Sequence, residues 1–152
     1  MIAWSRIDSR LIHGQVIEAW VPHLGVARVV VADDDAAKDP LARVAYDMAM
    51  PAEGEVVLSA IDALDFAALA GDDVRTLVIF RDVKSAVDAR AHGLPDGMLN
   101  LGHGHAGPGR VSISRSVFLD DRDARELATL SNGGMDVRVQ AVPTDAPARY
   151  PG

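Results

Sequence analysis

Apolar and polar positions follow two periods that alternate along the whole chain. Short runs rich in β-branched residues read as strands: "IAWSRI" (2–7), "ARVVVA" (27–32), "EVVLS" (55–59), "RTLVIF" (75–80) and "GMLNL" (97–101). Several are apolar almost without interruption, as in strands covered on both faces. Between them the period lengthens. Residues 14–24 place Val16, Ile17, Trp20, Val21 and Leu24 on one stripe at helical spacing, with Pro22 set to end or kink the helix. Asp39-Pro40 forms a cap and first turn for a helix to about Met50, and Ser59 is placed to cap residues 60–70. Asp82 opens a helix to about His92, with Gly93 where a C-terminal cap belongs. "RVSIS" (110–114) reads as a short sixth strand, and residues 120–132 as a helix whose acidic start suits the dipole. "DVRVQAV" (136–142) is the last predicted strand, and the tail "PTDAPARYPG" continues neither element. Strands alternating with helices in this way predict an α/β fold, three layers α/β/α, around a mainly parallel sheet of six or seven strands. The pattern shows no repeat and no linker, so residues 1–152 are expected to form one domain.

Composition narrows the function. Hydrophobic residues are 49% of the chain, enough for a core, and no run approaches the ~20 apolar residues of a membrane span. The first predicted strand follows Met1 directly, with nothing resembling a signal peptide, so a cytosolic location is expected. The absence of cysteine removes disulfides and thiolate chemistry. A net charge of −7 with no basic tract argues against nucleic acid.

"RIDSRLIHGQV" (6–16) is the densest chemistry. It holds two arginines, an aspartate and a histidine, then opens a helix. The stretch looks too polar for a buried strand and too apolar for a solvated linker. In an open α/β sheet it occupies the first strand-to-helix loop, where ligands bind. Arg10 can place a forked guanidinium on a phosphate, Gly14 admits a close approach, and the helix start offers free N–H groups. Asp8 is placed to hold Arg10 or to orient the imidazole of His13. An ordinary histidine, with a pKa of ~6.5, carries a nucleophilic nitrogen near neutral pH. A dianion on His13 would be met by all of these groups.

Other candidates are weaker. "GHGHAG" (102–107) has dinucleotide-motif spacing but follows the fifth strand and leads into an extended segment, not a helix. His103 and His105 would need a third ligand, such as His13 or one of Asp33, Asp34 and Asp35, to hold a metal. They read better as lining a cleft. "ADDDA" (32–36) lacks the acidic and lysine partners of a receiver domain and reads as a solvated acidic loop. His23 and His92 lie near helix ends.

The segment Arg6, Ile7, Asp8, Arg10, Leu11, Ile12, His13, Gly14, Gln15 and Val16 resembles the phosphohistidine segment of IIB components in the mannose/fructose/sorbose family of the bacterial sugar phosphotransferase system. "VVVADD", "LNLG" and "DVRVQAVPTD" extend the likeness along the chain. The resemblance implies a phosphotransferase in which His13 takes a phosphoryl group from a phosphorylated IIA domain on a separate chain. It then passes that group to a sugar held by the membrane components IIC and IID, at the cytoplasmic side of the inner membrane. It implies catalytic roles for Asp8 and Arg10, phosphate binding by Arg6, Arg10, Gly14 and Gln15, and no metal or other cofactor. The docking face would surround residues 8–15, with Arg6 or Arg10 at its rim. A regulatory phosphohistidine module without a transport role uses the same chemistry and is the alternative. The chain departs from the family pattern at Ser9, where an acidic residue is frequent, and in the loop "HGHAGPG". These departures imply a less electronegative loop, and place His103 and His105 near the phosphate or the sugar-side partner.

Overall fold

A computed structural model describes residues 1–151. Seven strands form one sheet: β1 (Ile2–Asp8), β2 (Arg28–Ala32), β3 (Glu55–Ser59), β4 (Thr76–Phe80), β5 (Met98–His103), β8 (Asp136–Val139) and β9 (Ala148–Arg149). Their order across the sheet is β3-β2-β4-β1-β5-β8-β9, parallel throughout except that β9 runs antiparallel to β8. Strands β6 (Val111–Ser112) and β7 (Phe118–Leu119) pair antiparallel outside it.

Burial follows the sheet order. Every residue of β2 and β4 is buried, which is why both read as continuous apolar runs. One face packs under α4 (Phe66–Gly71), α5 (Val83–Ala91) and α6 (Asp121–Asn132), through Phe66, Val83, Ala86, Leu127 and Leu130. The opposite face is covered by the helix over residues 14–24 and by α2 (Asp34–Ala37) and α3 (Pro40–Ala49), with Val16, Val21, Ala36 and Met50 inside. These are the three expected layers.

Caps explain the boundaries. The carboxylates of Asp33, Asp39, Asp65, Asp82 and Asp120 each accept an amide of the following first turn, and Asp120 with Asp123 completes a capping box. Gly93 has φ +100° where α5 turns back, as a left-handed cap requires.

Some expectations change. Ser59 does not cap the next helix: its hydroxyl donates to the Ala60 carbonyl, and Asp65 caps α4 after a short 3₁₀ turn (Ile61–Ala63). The tail does not stay outside the elements, since Ala148–Arg149 closes the sheet edge against β8. The helix over 14–24 is interrupted by a π-helical stretch (Val16–Trp20) ahead of α1 (Val21–Leu24). Pro22, lacking an N–H, sits in the first turn of α1.

The polarity of β1 is the largest correction. Ser5, Arg6 and Asp8 are buried in this central strand. Arg6 and Asp8 share a face two residues apart and satisfy each other, so a strand that looks too polar to bury is neutralised from within.

Candidate functional site

The helix after β1 and the helix after β4 leave toward opposite faces, although the two strands are neighbours. Their carboxyl ends therefore border a crevice, the usual binding position in an open α/β sheet. The loop 9–15 lies at its edge. A cleft of about 240 Å³ beside it is lined by Ser9, Arg81, Asp82, His103, His105 and Arg110 over an apolar floor.

Asp8 organises the loop. Its backbone carbonyl accepts from the Leu11 amide at 2.9 Å, closing a turn, and its Oδ1 accepts from the Arg10 amide at 3.0 Å. Leu11, buried, has φ +56°, a left-handed conformation that stores about 1 kcal/mol or more in a non-glycine residue. The turn swings Arg10 outward and brings His13 back over Asp8. His13 Nε2 lies 2.8 Å from Asp8 Oδ2. Burial works to raise the Asp8 pKa, but the hydrogen bond from His13, the charge of Arg6 and the Arg10 amide together hold it down at about 2. The carboxylate is therefore ionised and accepts only, so His13 Nε2 is the donor, and in the neutral ring Nδ1 is the nitrogen with the free lone pair.

Arg10 is partly exposed. Its Nε reaches Asp8 Oδ1 at 3.4 Å, and its Nη2 donates to Gln15 Oε1 at 3.1 Å. Gly14 and Gln15 begin the helix, where amides lack carbonyl partners one turn back, and a Cβ at Gly14 would meet nothing within 4 Å.

Arg6 is elsewhere. Its side chain is fully buried, which corrects the expectation that it binds phosphate or rims a docking face. Nε and Nη2 donate to Asp8 Oδ2 at 3.2 and 3.1 Å, Nη1 to Asn100 Oδ1 and the Gln140 carbonyl, and Nη2 to the Ala141 carbonyl. The Trp20 ring lies 5.0 Å from the guanidinium, and its indole N–H donates to Ala141 O at 2.9 Å. Burial lowers the Arg6 pKa, and Asp8 opposes that shift. Arg6 is the counter-charge beneath Asp8. Asn100, Gln140 and Trp20 belong to this network and are not evident in the sequence. The only local signal is the spacing of Arg6 and Asp8 on one strand face.

A Cβ at Gly102 would collide with the Arg6 guanidinium. The register between β1 and β5 slips here: Ile7 faces Leu101, yet Asp8 faces His103. This bulge turns His103 toward the loop, where its Nδ1 lies 2.5 Å from Ser9 Oγ. His105 stacks edge-on at 5.7 Å from His103. The segment 102–110 leads into β6, not into a helix, so "GHGHAG" is not set as a dinucleotide loop. Among the described residues, no three His, Cys, Asp or Glu side chains are grouped to hold a metal ion. The acidic loop is not fully solvated: Asp33 is buried, caps α2 and accepts from Arg81 Nε and Nη2 at 3.0 and 2.8 Å.

The fold and this loop define a doubly wound α/β protein with a histidine poised at the switch point of its sheet. Residues 2–150 match the family model described as the PTS system sorbose subfamily IIB component, and the chain belongs to that family. It is a phosphotransferase component that carries a phosphoryl group in sugar uptake. It is 33% identical to the N-acetylgalactosamine-specific phosphotransferase enzyme IIB component 2 of Escherichia coli K12, over 95% of this chain and 92% of that protein. It is 26% identical to the fructose-specific EIIB component of Bacillus subtilis 168, over 95% and 90%. The crystal structure of the N-acetylgalactosamine-specific IIB component 1 from E. coli superposes with a TM-score of 0.91 at 27% identity, covering 99% of this chain and all of that one.

Proposed function

We propose that His13 is the residue that carries the phosphoryl group, and that Nδ1 is the atom. The observation behind this is the 2.8 Å contact between His13 Nε2 and an ionised Asp8, which leaves Nδ1 as the free lone pair. In the loading step Nδ1 attacks the phosphorus of a phosphohistidine on a IIA partner. The N–P bond of the donor breaks as that of His13 forms. In discharge the oxygen of a sugar hydroxyl presented by the membrane components IIC and IID attacks the phosphorus, the His13 N–P bond breaks, and the hydroxyl proton passes to solvent. Phosphoryl transfer depends chiefly on position and charge. Asp8 sets the ring and its tautomer, while Arg10, held by Asp8 and Gln15, supplies a positive fork on the solvent side. Gly14 and Gln15 offer amides at the helix start. No metal enters this scheme. Residues 1–152 act as a single IIB domain at the cytoplasmic face of the membrane. Among the described residues, no helix is long and apolar enough to cross it.

The test is intact-mass measurement after mixing the chain with phosphoenolpyruvate, the general phosphotransferase proteins and a IIA partner. One acid-labile phosphoryl addition is expected, absent in His13→Ala. An addition that survives in His13→Ala would remove His13 from the mechanism.

A further inference from the structure

The bulge at Gly102 places one imidazole beside the loop that the mechanism above does not use. His103 and His13 flank Asp8 from two strands' ends: His103 faces Asp8 in the sheet register, and His13 sits on its carboxylate. Ser9, the next residue, fixes His103 Nδ1 at 2.5 Å. A serine hydroxyl both donates and accepts, so it holds this ring whether Nδ1 is bare or protonated. The ring also lines the open cleft, so its other nitrogen can exchange protons with solvent.

We propose that His103, held by Ser9, is a titratable partner of the phosphoryl group: it takes up one proton when His13 is phosphorylated and releases it on discharge. This rests on His13 being the phosphorylated residue. In the unloaded protein the pKa of His103 is lowered by burial first, then by the charge of Arg10, with His105 and His13 adding to it and Asp8 opposing. Arg81, Asp82, Arg110 and Asp123 line the same cleft, but Arg81 is paired with Asp33 and Arg110 with Asp123, and Asp82 caps α5. The groups around His103 are thus predominantly positive or already paired, and its neutral form is favoured. A dianion on His13, whose charge already acts on His103, reverses that sign. An opposite charge at close range raises a pKa by about one unit or more. The proton binds one ring nitrogen of His103, no covalent bond to the protein is made or broken by it, and it returns to water when the phosphoryl group leaves. His103 is a positioning and charge-compensating residue in this scheme. The nucleophile remains His13.

The sign of the linkage is fixed. Because the loaded state has the higher His103 pKa, it binds more protons between the two values. Loading by phospho-IIA is then favoured as pH falls through that window, and the advantage is lost as pH rises through the loaded-state pKa.

The experiment is a pH titration of the histidine rings by ¹H–¹⁵N NMR, on the intact chain before and after phosphorylation, with ³¹P NMR confirming phosphohistidine. The expected result is a His103 pKa raised by about one unit or more in the loaded form. The equilibrium of phosphoryl exchange with IIA should carry a pH dependence that His103→Gln reduces to the contribution of the phosphoryl group's own ionisation. Ser9→Ala should keep the shift in direction and lower it in size. Phosphohistidine at residue 13 with an unmoved His103 pKa would overturn this inference and leave the assignment of His13 standing. A loaded chain lacking phosphohistidine at residue 13 would overturn both.

Discussion

Asp8→Asn tests the claim that a buried charge pair supports the loop. Asparagine has the same shape, so packing is kept and only charge and hydrogen bonding change. In the native protein Asp8 Oδ2 accepts from Arg6 Nε and Nη2 and from His13 Nε2, while Oδ1 accepts from the Arg10 amide. Every neighbour donates. Whichever way the asparagine amide turns, its NH₂ confronts a donor. Arg6, fully buried, also loses its counter-charge. Removing one member of a buried pair costs about 3–5 kcal/mol, a large share of a typical domain's stability. For a chain of this size that lowers Tm by about 10 °C.

The pH dependence separates charge from shape. Asp8 has its pKa lowered from 3.8 to about 2 in the folded protein. The unfolded chain binds the proton more readily, so this contribution to stability is complete above the ordinary carboxylate value. It is lost as pH falls through that value toward the folded one. At 1.36 kcal/mol per unit, a difference of 3.8 − 2 gives about 2 kcal/mol. Urea unfolding of wild type and variant should therefore differ by the full amount at neutral pH. The gap should narrow by about 2 kcal/mol on acidification toward the folded-state value. A variant within about 1 kcal/mol of wild type at neutral pH, or a gap that ignores pH, would refute the reasoning.

Other expectations follow from the same geometry. Arg10→Ala should leave urea stability within about 0.5 kcal/mol, because the side chain is partly exposed. It should slow phosphoryl loading of His13 by about a hundredfold, as measured by quench-flow and intact mass. Gly102→Ala drives a methyl group into the Arg6 guanidinium, which cannot retreat, and should destabilise by about 1–3 kcal/mol in thermal unfolding. Asp33→Ala removes the cap of α2 and the partner of Arg81, and should cost about 1 kcal/mol or more by the same measurement.

The elements were legible where local chemistry sets them. β-branched runs gave the central strands, and Asp39, Asp82 and Asp120 marked helix starts that the structure keeps. The sequence is silent where a partner lies far along the chain. Arg6 looks like a phosphate ligand because charge is visible in sequence and burial is not. Asp8 neutralises it from two residues away, but the neutral acceptors that complete its burial come from Asn100, Gln140 and Ala141, 94 to 135 residues away. Asp33 looks solvated for the same reason, with Arg81 distant in sequence. The pairing of Ala148–Arg149 with β8 is too short to leave a periodic signal. Asp8 reads in the sequence as a partner of either Arg10 or His13, and the structure gives it both, while the ring nitrogen that the pairing frees is not legible.

The π-helical stretch Val16–Trp20 makes the length of this segment a functional variable in its own right. A single-residue deletion there would let the backbone relax into an ordinary α-helix with its hydrogen bonds intact. Trp20 would keep nearly its present direction, over the guanidinium it covers, because the α-helical turn makes up for the lost residue. The segment should thus tolerate loss of one residue in scanning mutagenesis, whereas one added residue, about 100° of further turn, should carry Trp20 away from Arg6. Spacing along the helix, more than side-chain identity, keeps the counter-charge sealed beneath the histidine.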